Sequence, residues 1–331
     1  MRIENILALT NGELKNDPFV KKFENIVFNL KHVKRGDLFV AFEKEMIEDA
    51  VNAGAYGVIF DQPTQISDTE IAWIKVDSCE DALKRLLRFR LIEKNVRVYS
   101  CNEIILKLAL QVSTDSNCIP VYGDAKSIYK QLENLEDKAI LLFCPSMSDE
   151  NIFTDIQKLG VSEVESITII EQTLFETSFI YDNIFYERQS ISPFFMPYLE
   201  ELLHLYKSLK INYKLNKFIA IEHFEAVFTN KNFEIKEFGT SDKVLIFESN
   251  TQLIDLEINF LQKNASWAKS IYIIPFPIDG IKNENVFIYK NRNHIIDILK
   301  QNSFHFALIA GVDKEILSKP ITNQKQLILE F

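Results

Sequence analysis

Hydrophobic and polar positions along the first 95 residues switch repeatedly between the period of a strand and that of a helix. Asp37-Leu-Phe-Val-Ala-Phe42 is an apolar run entered by the turn residues Lys34-Arg35-Gly36, and predicts a buried strand. Ile47 to Ala53 has helical spacing and stops near Gly54. Tyr56 to Phe60 (YGVIF) predicts a second strand, closed by Asp61-Gln62-Pro63, and Ile71 to Val76 a third. Ser78-Cys-Glu-Asp81 has capping-box character ahead of a helix from Ala82 to Glu93, whose Leu83, Leu86, Leu87 and Leu91 lie at helical intervals.

The alternation continues in short units. Strands are expected at Val96 to Tyr99, Ala139 to Phe143 (AILLF), Glu165 to Ile170 and Phe179 to Tyr186, the last half-exposed. Helices are expected at Asn102 to Val112 and, stopped by Gly160, at Asp149 to Leu159. Ser190-Ile-Ser-Pro193 punctuates the chain before two helices, Tyr198 to Leu209 and Leu215 to Phe228. A last segment places strands at Phe233 to Lys236, Val244 to Phe247, Ile271 to Ile274, Val286 to Tyr289 and His305 to Ile309. Helices at Thr251 to Lys263 and His294 to Gln301 alternate with them. Such alternation predicts an α/β protein with parallel or mixed sheets covered by helices.

Composition narrows the chemistry. Only 9 of the 331 residues are Gly, which is about 2.7% against an average usage of about 7%. Only Gly54 and Gly57 are near neighbours, so neither a G-x-x-x-x-G-K-[ST] loop nor a G-x-G-x-x-G turn can be written from the sequence. The net charge of −10 argues against non-specific nucleic-acid binding. No uncharged apolar run approaches the ~18 residues of a membrane span, and Glu4 falls where a signal peptide would begin its apolar region, so a cytoplasmic location is expected. Cys79, Cys101, Cys118 and Cys144 form no C-x-x-C and read as buried thiols; the five histidines form no H-E-x-x-H, and His204 and His223 read as packing or capping residues within helices. Phe194-Phe195-Met196 and Pro275-Phe276-Pro277 are either core or an exposed patch for a partner, and the basic residues Lys84, Arg85, Arg88 and Arg90 read as a solvated helix face.

The segment Val33-Lys-Arg-Gly-Asp-Leu-Phe-Val-Ala-Phe42, followed by Asp49-Ala-Val-Asn-Ala-Gly-Ala-Tyr-Gly-Val58, Ile74-Lys-Val-Asp77 and Ala82-Leu83, resembles the N-terminal domain of the Mur ligases. It is most similar to the branch that adds D-alanyl-D-alanine to a UDP-muramoyl-tripeptide (MurF). Further on, Val244-Leu-Ile-Phe-Glu-Ser-Asn-Thr-Gln-Leu-Ile-Asp255 resembles the motif that opens the family's C-terminal domain. Ser249 and Asp255 match it, and Glu248 stands at its second Asp. Phe306-Ala-Leu-Ile-Ala-Gly-Val312 resembles the family's penultimate strand. The resemblance implies a three-domain architecture, with an N-terminal-like domain at 1–95, a truncated central domain at 96–190, and a helical segment plus a C-terminal-like α/β domain at 191–331.

The departures from the family fall on its chemistry. Its ATP-binding loop would lie at Val98-Tyr-Ser-Cys-Asn-Glu-Ile-Ile-Leu-Lys107, where Ser100 and Lys107 survive without a glycine. Its metal-binding Glu is missing after Phe143; Glu150 is a candidate in its place, although an acidic residue in a helix's first turn equally suits the macrodipole. Its UDP-sugar contact falls near Phe28-Asn-Leu-Lys31, so Asn29 and Lys31 are candidate diphosphate ligands or a solvated strand end. Lys231, Glu248, Ser249 and Asn250 are the candidate substrate contacts of the last domain, while Leu253 and Ile254 occupy its Asn-Pro positions.

Three functions follow from the resemblance. The first is a non-catalytic Mur-ligase-like protein without a cofactor, scaffolding enzymes of peptidoglycan-precursor synthesis. The alternative is a divergent ATP- and magnesium-dependent ligase acting on UDP-muramoyl peptides, with Lys107 at the phosphates, Glu150 at the metal and Glu248 or Asn250 at the amino acid. The third is UDP-sugar binding alone.

Overall fold

The apolar run after Asp37 becomes the interior of the first sheet. The computed structural model describes residues 1–159, 166–215, 218–237, 239–277 and 285–317. They divide into two units, Met1–Gly160 with Tyr206–Tyr213, and Val161–Leu205 with Lys214–Phe331.

The first unit begins with α1 (Ile3–Thr10), β1 (Glu13–Leu14), β2 (Ile26–Val27), β3 (Leu38–Ala41), α2 (Met46–Asn52), β4 (Gly57–Phe60), β5 (Ala72–Lys75) and α3 (Cys79–Glu93). The sheet order is β1-β5-β4-β3-β2, parallel except for the edge strand β1. Every residue of β3 and β4 is buried, because both faces are covered. Phe39, Ala41, Val58 and Trp73 pack with Ile47 and Ala50 of α2, while Leu38, Val40, Ile59 and Ile74 pack with Ile6 of α1 and Leu86 of α3. Buried Asp37 closes the entry turn. Its Oδ2 accepts from Lys34 N and its Oδ1 from Asn25 Nδ2, both at 2.9 Å. The helix starts at Cys79 rather than Ala82, with the Ser78 hydroxyl accepting from Asp81 N at 3.1 Å.

The second sheet of this unit holds β6 (Arg97–Ser100), α4 (Glu103–Val112), β7 (Cys118–Gly123), α5 (Ala125–Gln131), β8 (Ile140–Ser148) and β9 (Ile156–Lys158). Its order is β7-β8-β6-β9, all parallel. Leu83, Leu87 and Leu91 of α3 pack with Val98, Val121, Ile128, Leu141 and Phe143, so α3 contributes to the cores of both sheets. β7 and α5 are not among the elements expected from the sequence; β7 holds Pro120 and has neither a continuous apolar run nor a strict alternation of burial. The helix expected from Asp149 to Leu159 is a 3-10 turn, Glu150–Ile152, followed by β9. Ile152, Phe153 and Ile156 mimic a helical stripe. In the structure Ile152 and Phe153 enter the core, the Phe153 ring 4.4 Å from that of Phe143, while Ile156 pairs with Val98. Gly160 lies outside the described residues.

The second unit opens with an antiparallel meander, β10 (Thr168–Gln172), β11 (Thr177–Tyr181) and β12 (Ile184–Gln189). The single strand expected from Phe179 to Tyr186 is instead a hairpin. Asp182 and Asn183 adopt φ of 47° and 61°, the two positive values of a type I′ turn, and bring the Phe179 and Tyr186 rings into a stack at 5.1 Å. The next helix is α6 (Met196–Leu209), and Phe194, Phe195 and Met196 at its start are buried. The main sheet follows: β13 (Glu225–Thr229), β14 (Lys243–Glu248), α7 (Ile254–Asn264), β15 (Ser270–Ile274), β16 (Val286–Ile288), α8 (Arg292–Gln301) and β17 (Phe306–Ala310). The strands run in the order β13-β14-β17-β15-β16, with only β13 antiparallel.

Two sequence expectations fail here. The helix expected from Leu215 to Phe228 is irregular chain at residues 218–224 and then β13, because the open edge of β14 offers Glu225–Thr229 a full ladder; residues 216 and 217 lie outside the described set. The strand expected at Phe233 to Lys236 is a single bridge between Thr229 and Ile235. Among the described residues, no helix is long and apolar enough to cross a membrane.

Candidate functional site

In the first unit, β6 and α4, between which the resemblance would put a nucleotide loop, are joined by two residues. β6 ends at Ser100 and α4 starts at Glu103, leaving Cys101 and Asn102 between them. Cys101 N–H donates to Phe143 O at 2.9 Å, extending the ladder to β8 by one bond. The Asn102 side chain then accepts from Ile105 N at 2.9 Å, filling one of the helix's free donors. A phosphate cradle needs several consecutive N–H groups curled around an anion, generally with glycines to permit the curl. Here the chain passes straight from ladder to cap. Ser100 Oγ donates to Gln157 O at 3.5 Å, and Lys107 pairs with Glu103 at 2.9 Å, one helical turn back. Ile104, Ile105, Leu106 and Leu108 are buried, so α4 is a core helix.

Glu150 is exposed at the start of its 3-10 turn. The preceding Asp149 does the structural work there. It caps the turn at Asn151 N and pairs with Lys84 at 2.7 Å, while Lys84 also holds Glu80. A side-chain hydrogen bond from Lys84 holds the Asp149 carboxyl below the usual carboxylate range.

Asn29 caps a short 3-10 helix, Leu30–His32, by accepting from Lys31 N at 3.1 Å. Lys31 borders an open cleft of about 860 Å³, whose other cations are Lys34, Arg90 and Lys94 and whose acids include Glu24, Asp37 and Glu133. Two of those cations are engaged: Arg90 donates to Glu133 O at 2.7 Å and Lys94 pairs with Asp137 at 2.8 Å. The cleft is therefore near charge balance rather than strongly anion-seeking.

The second unit separates its four candidates. Antiparallel pairing sets Glu225 opposite Phe247 and Thr229 opposite Lys243. Lys231, which follows β13, consequently belongs to the opposite end of β14 from Glu248, and it is exposed. Glu248, Ser249 and Asn250 do come together, with Asn250 N donating to Glu248 Oε1 at 2.6 Å and Asn250 Oδ1 accepting from Gln252 N at 3.0 Å. Ser249 is exposed, whereas Glu248 is completely buried.

Around Glu248 lies a cluster of ionisable groups that the sequence reading did not assemble. His223 Nδ1 sits 2.9 and 3.2 Å from the two Glu248 oxygens, and Phe224 N donates to Oε2 at 3.1 Å. Phe224 has φ of 47°, an uncommon value for a bulky residue, and this bend places its N–H at the carboxylate. Burial alone would raise the Glu248 pKa; hydrogen bonding from His223, then from Glu257, outweighs it and leaves the carboxyl below its ordinary value. With Glu248 ionised, His223 Nδ1 carries the hydrogen of that bond. Glu257 on α7 is also fully buried, and neither of its oxygens has a partner of standard hydrogen-bond geometry. Burial first, and then the Glu248 charge, push the Glu257 carboxyl well above its ordinary value. The signal for this cluster was present as two acids nine residues apart in a strand–helix unit. His223 reached it only because β13 pairs with β14.

No protein-family model matches this chain, and no curated protein matches it. Solved structures do. MurF from Acinetobacter baumannii is similar at 10% identity, over 93% of this chain and 95% of that one, with a TM-score of 0.52. The MurF ligase from Thermotoga maritima in complex with ADP is similar at 13% identity, over 89% and 95% of the two chains, with a TM-score of 0.49. The first likeness shows an α/β protein with a Mur-ligase-like fold.

Proposed function

We propose that this chain is a Mur-ligase-like protein that acts by binding, as a scaffold for enzymes of peptidoglycan-precursor synthesis in the cytoplasm, and does not drive ligation with ATP. The observation that carries the reading is the Cys101-Asn102 connection. Its Cys101 N–H is committed to the β8 ladder, its Asn102 side chain caps Ile105 N at the start of α4, and Lys107 is held by Glu103. Phosphoryl transfer relies on positioning and charge neutralisation at the phosphates, and these residues do not fit a triphosphate. In this reading residues 96–190 are a truncated counterpart of the family's central domain, and neither ATP nor magnesium is a cofactor.

Calorimetric titration with magnesium-ATP is the test. The expected result is no saturable heat, and micromolar binding would overturn the proposal. Phosphate release in the presence of UDP-muramoyl peptides and an amino acid would replace it with the divergent ligase. The scaffold role is checked by capture of precursor enzymes on the immobilised chain.

A further inference from the structure

The end of the main sheet opposite Glu248 carries a cavity of about 440 Å³, where β14 and β17 begin and α7 ends. That volume lies within the about 300–1,000 Å³ of small-molecule sites. Its walls are two aromatic pairs. Trp267 meets Phe306 edge-to-face at 6.0 Å between ring centres, and Phe175 meets Phe228 likewise at 5.5 Å. Phe306 is buried, but Trp267 is 76% exposed. An indole left in water beside a formed cavity is a common mark of a binding surface, because its apolar face gains when covered.

The rim supplies hydrogen-bonding groups without charge. Asn264 Nδ2 donates to Phe260 O at 2.9 Å, which fixes the amide and leaves Oδ1 to accept. Thr173 Oγ1 accepts from Phe175 N and Glu176 N, which leaves its O–H to donate. Gln172 and Ser241 add groups that donate and accept. Among the described residues, no Asp, Glu, Lys, Arg or His lines the cavity. A phosphate or carboxylate entering it would lose water with no counter-charge to meet. A plain hydrocarbon would leave the amide and hydroxyl rim unused. The ligand that satisfies both walls and rim is a neutral ring with apolar C–H faces and a hydroxylated edge.

We propose that this cavity is a binding site for a neutral saccharide, with Trp267 as the stacking platform and Asn264, Thr173, Gln172 and Ser241 reading the hydroxyl groups. It lies away from the Glu248 cluster and does not depend on whether the chain binds ATP.

The protein reports on this site directly, since its other tryptophan, Trp73, is fully buried in the first unit. The full chain is titrated with glucose, N-acetylglucosamine, cellobiose and N,N′-diacetylchitobiose, with adenosine and indole as controls. The expected result is a saturable change in Trp267 emission with at least one saccharide, accompanied by protection from acrylamide quenching. Calorimetry with the same sugar should show Trp267→Ala weakening binding by about tenfold or more and Trp267→Phe retaining part of it, with unchanged circular dichroism. Absence of saturable change with every saccharide overturns the proposal, as does unaltered affinity in Trp267→Ala. Saturation by adenosine or indole alone would also overturn it, making the cavity an aromatic-ring site.

Discussion

Glu257→Gln isolates one proton in the core of the second unit. Glu257 is fully buried, has no partner of standard hydrogen-bond geometry for either oxygen and faces the charge of Glu248, with Tyr198 of α6 also within its electrostatic reach. Its folded pKa lies above its unfolded value of about 4.3. Between those two values the native state binds one proton that the unfolded chain has released. The stability that Glu257 contributes is thus complete below about pH 4.3 and is lost as the pH rises towards its folded pKa, at about 1.4 kcal/mol per pH unit. Glu248 has the opposite sign: its lowered pKa adds stability above its unfolded value, and this is lost as the pH falls below that value. The two windows therefore lie on either side of the ordinary carboxylate pKa. Gln has the shape of a protonated Glu and does not titrate. Urea denaturation followed by circular dichroism from pH 5 to 8.5 should show wild type losing stability relative to Glu257→Gln with that slope, up to a plateau. Parallel curves for the two proteins across the range would refute the reasoning, because Glu257 would then be ionised or hydrated in the native state.

Gly311 has φ of +79°, and an added Cβ would lie 2.9 Å from Tyr289 Oη and 3.1 Å from Pro275 Cγ. Gly311→Ala should cost about 1–3 kcal/mol, read as a lowered Tm, partly by disturbing the Gly311 N–H bond to Glu248 O at 2.6 Å. Asp37→Ala leaves Lys34 N and Asn25 Nδ2 without their acceptor beneath β3. It should cost about 3 kcal/mol, read as a lower urea midpoint, with Asp37→Asn recovering part of the loss.

Asp37 shows why the first unit was legible from its sequence. The segment from Lys34 to Phe42 combines a turn, a buried acid that ties it and an apolar strand, and all three interactions fall within a few residues of one another or reach only to Asn25. The leucines of α3 were legible for a similar reason, since a helical stripe records which face is covered. Where local pattern was ambiguous, the tertiary structure chose. Ile152, Phe153 and Ile156 satisfy a helical spacing as well as a turn and a strand, and the core between α3 and β8 selected the latter. FIYDNIFY satisfies one strand or two, and Asp182-Asn183 turned it into a hairpin.

The sites divide along the same line. That no Gly lies between Gly57 and Gly123 is a property of the sequence alone, and the two-residue connection Cys101-Asn102 between β6 and α4 lies inside that stretch. The grouping of His223 with Glu248, and the placing of Lys231 at the far end of the same strand, follow from the antiparallel docking of β13 on β14. That docking is a choice of edge and direction, made by backbone hydrogen bonds that every sequence possesses. Periodicity reports burial; it does not report which strand ends meet, and so only the fold could decide it.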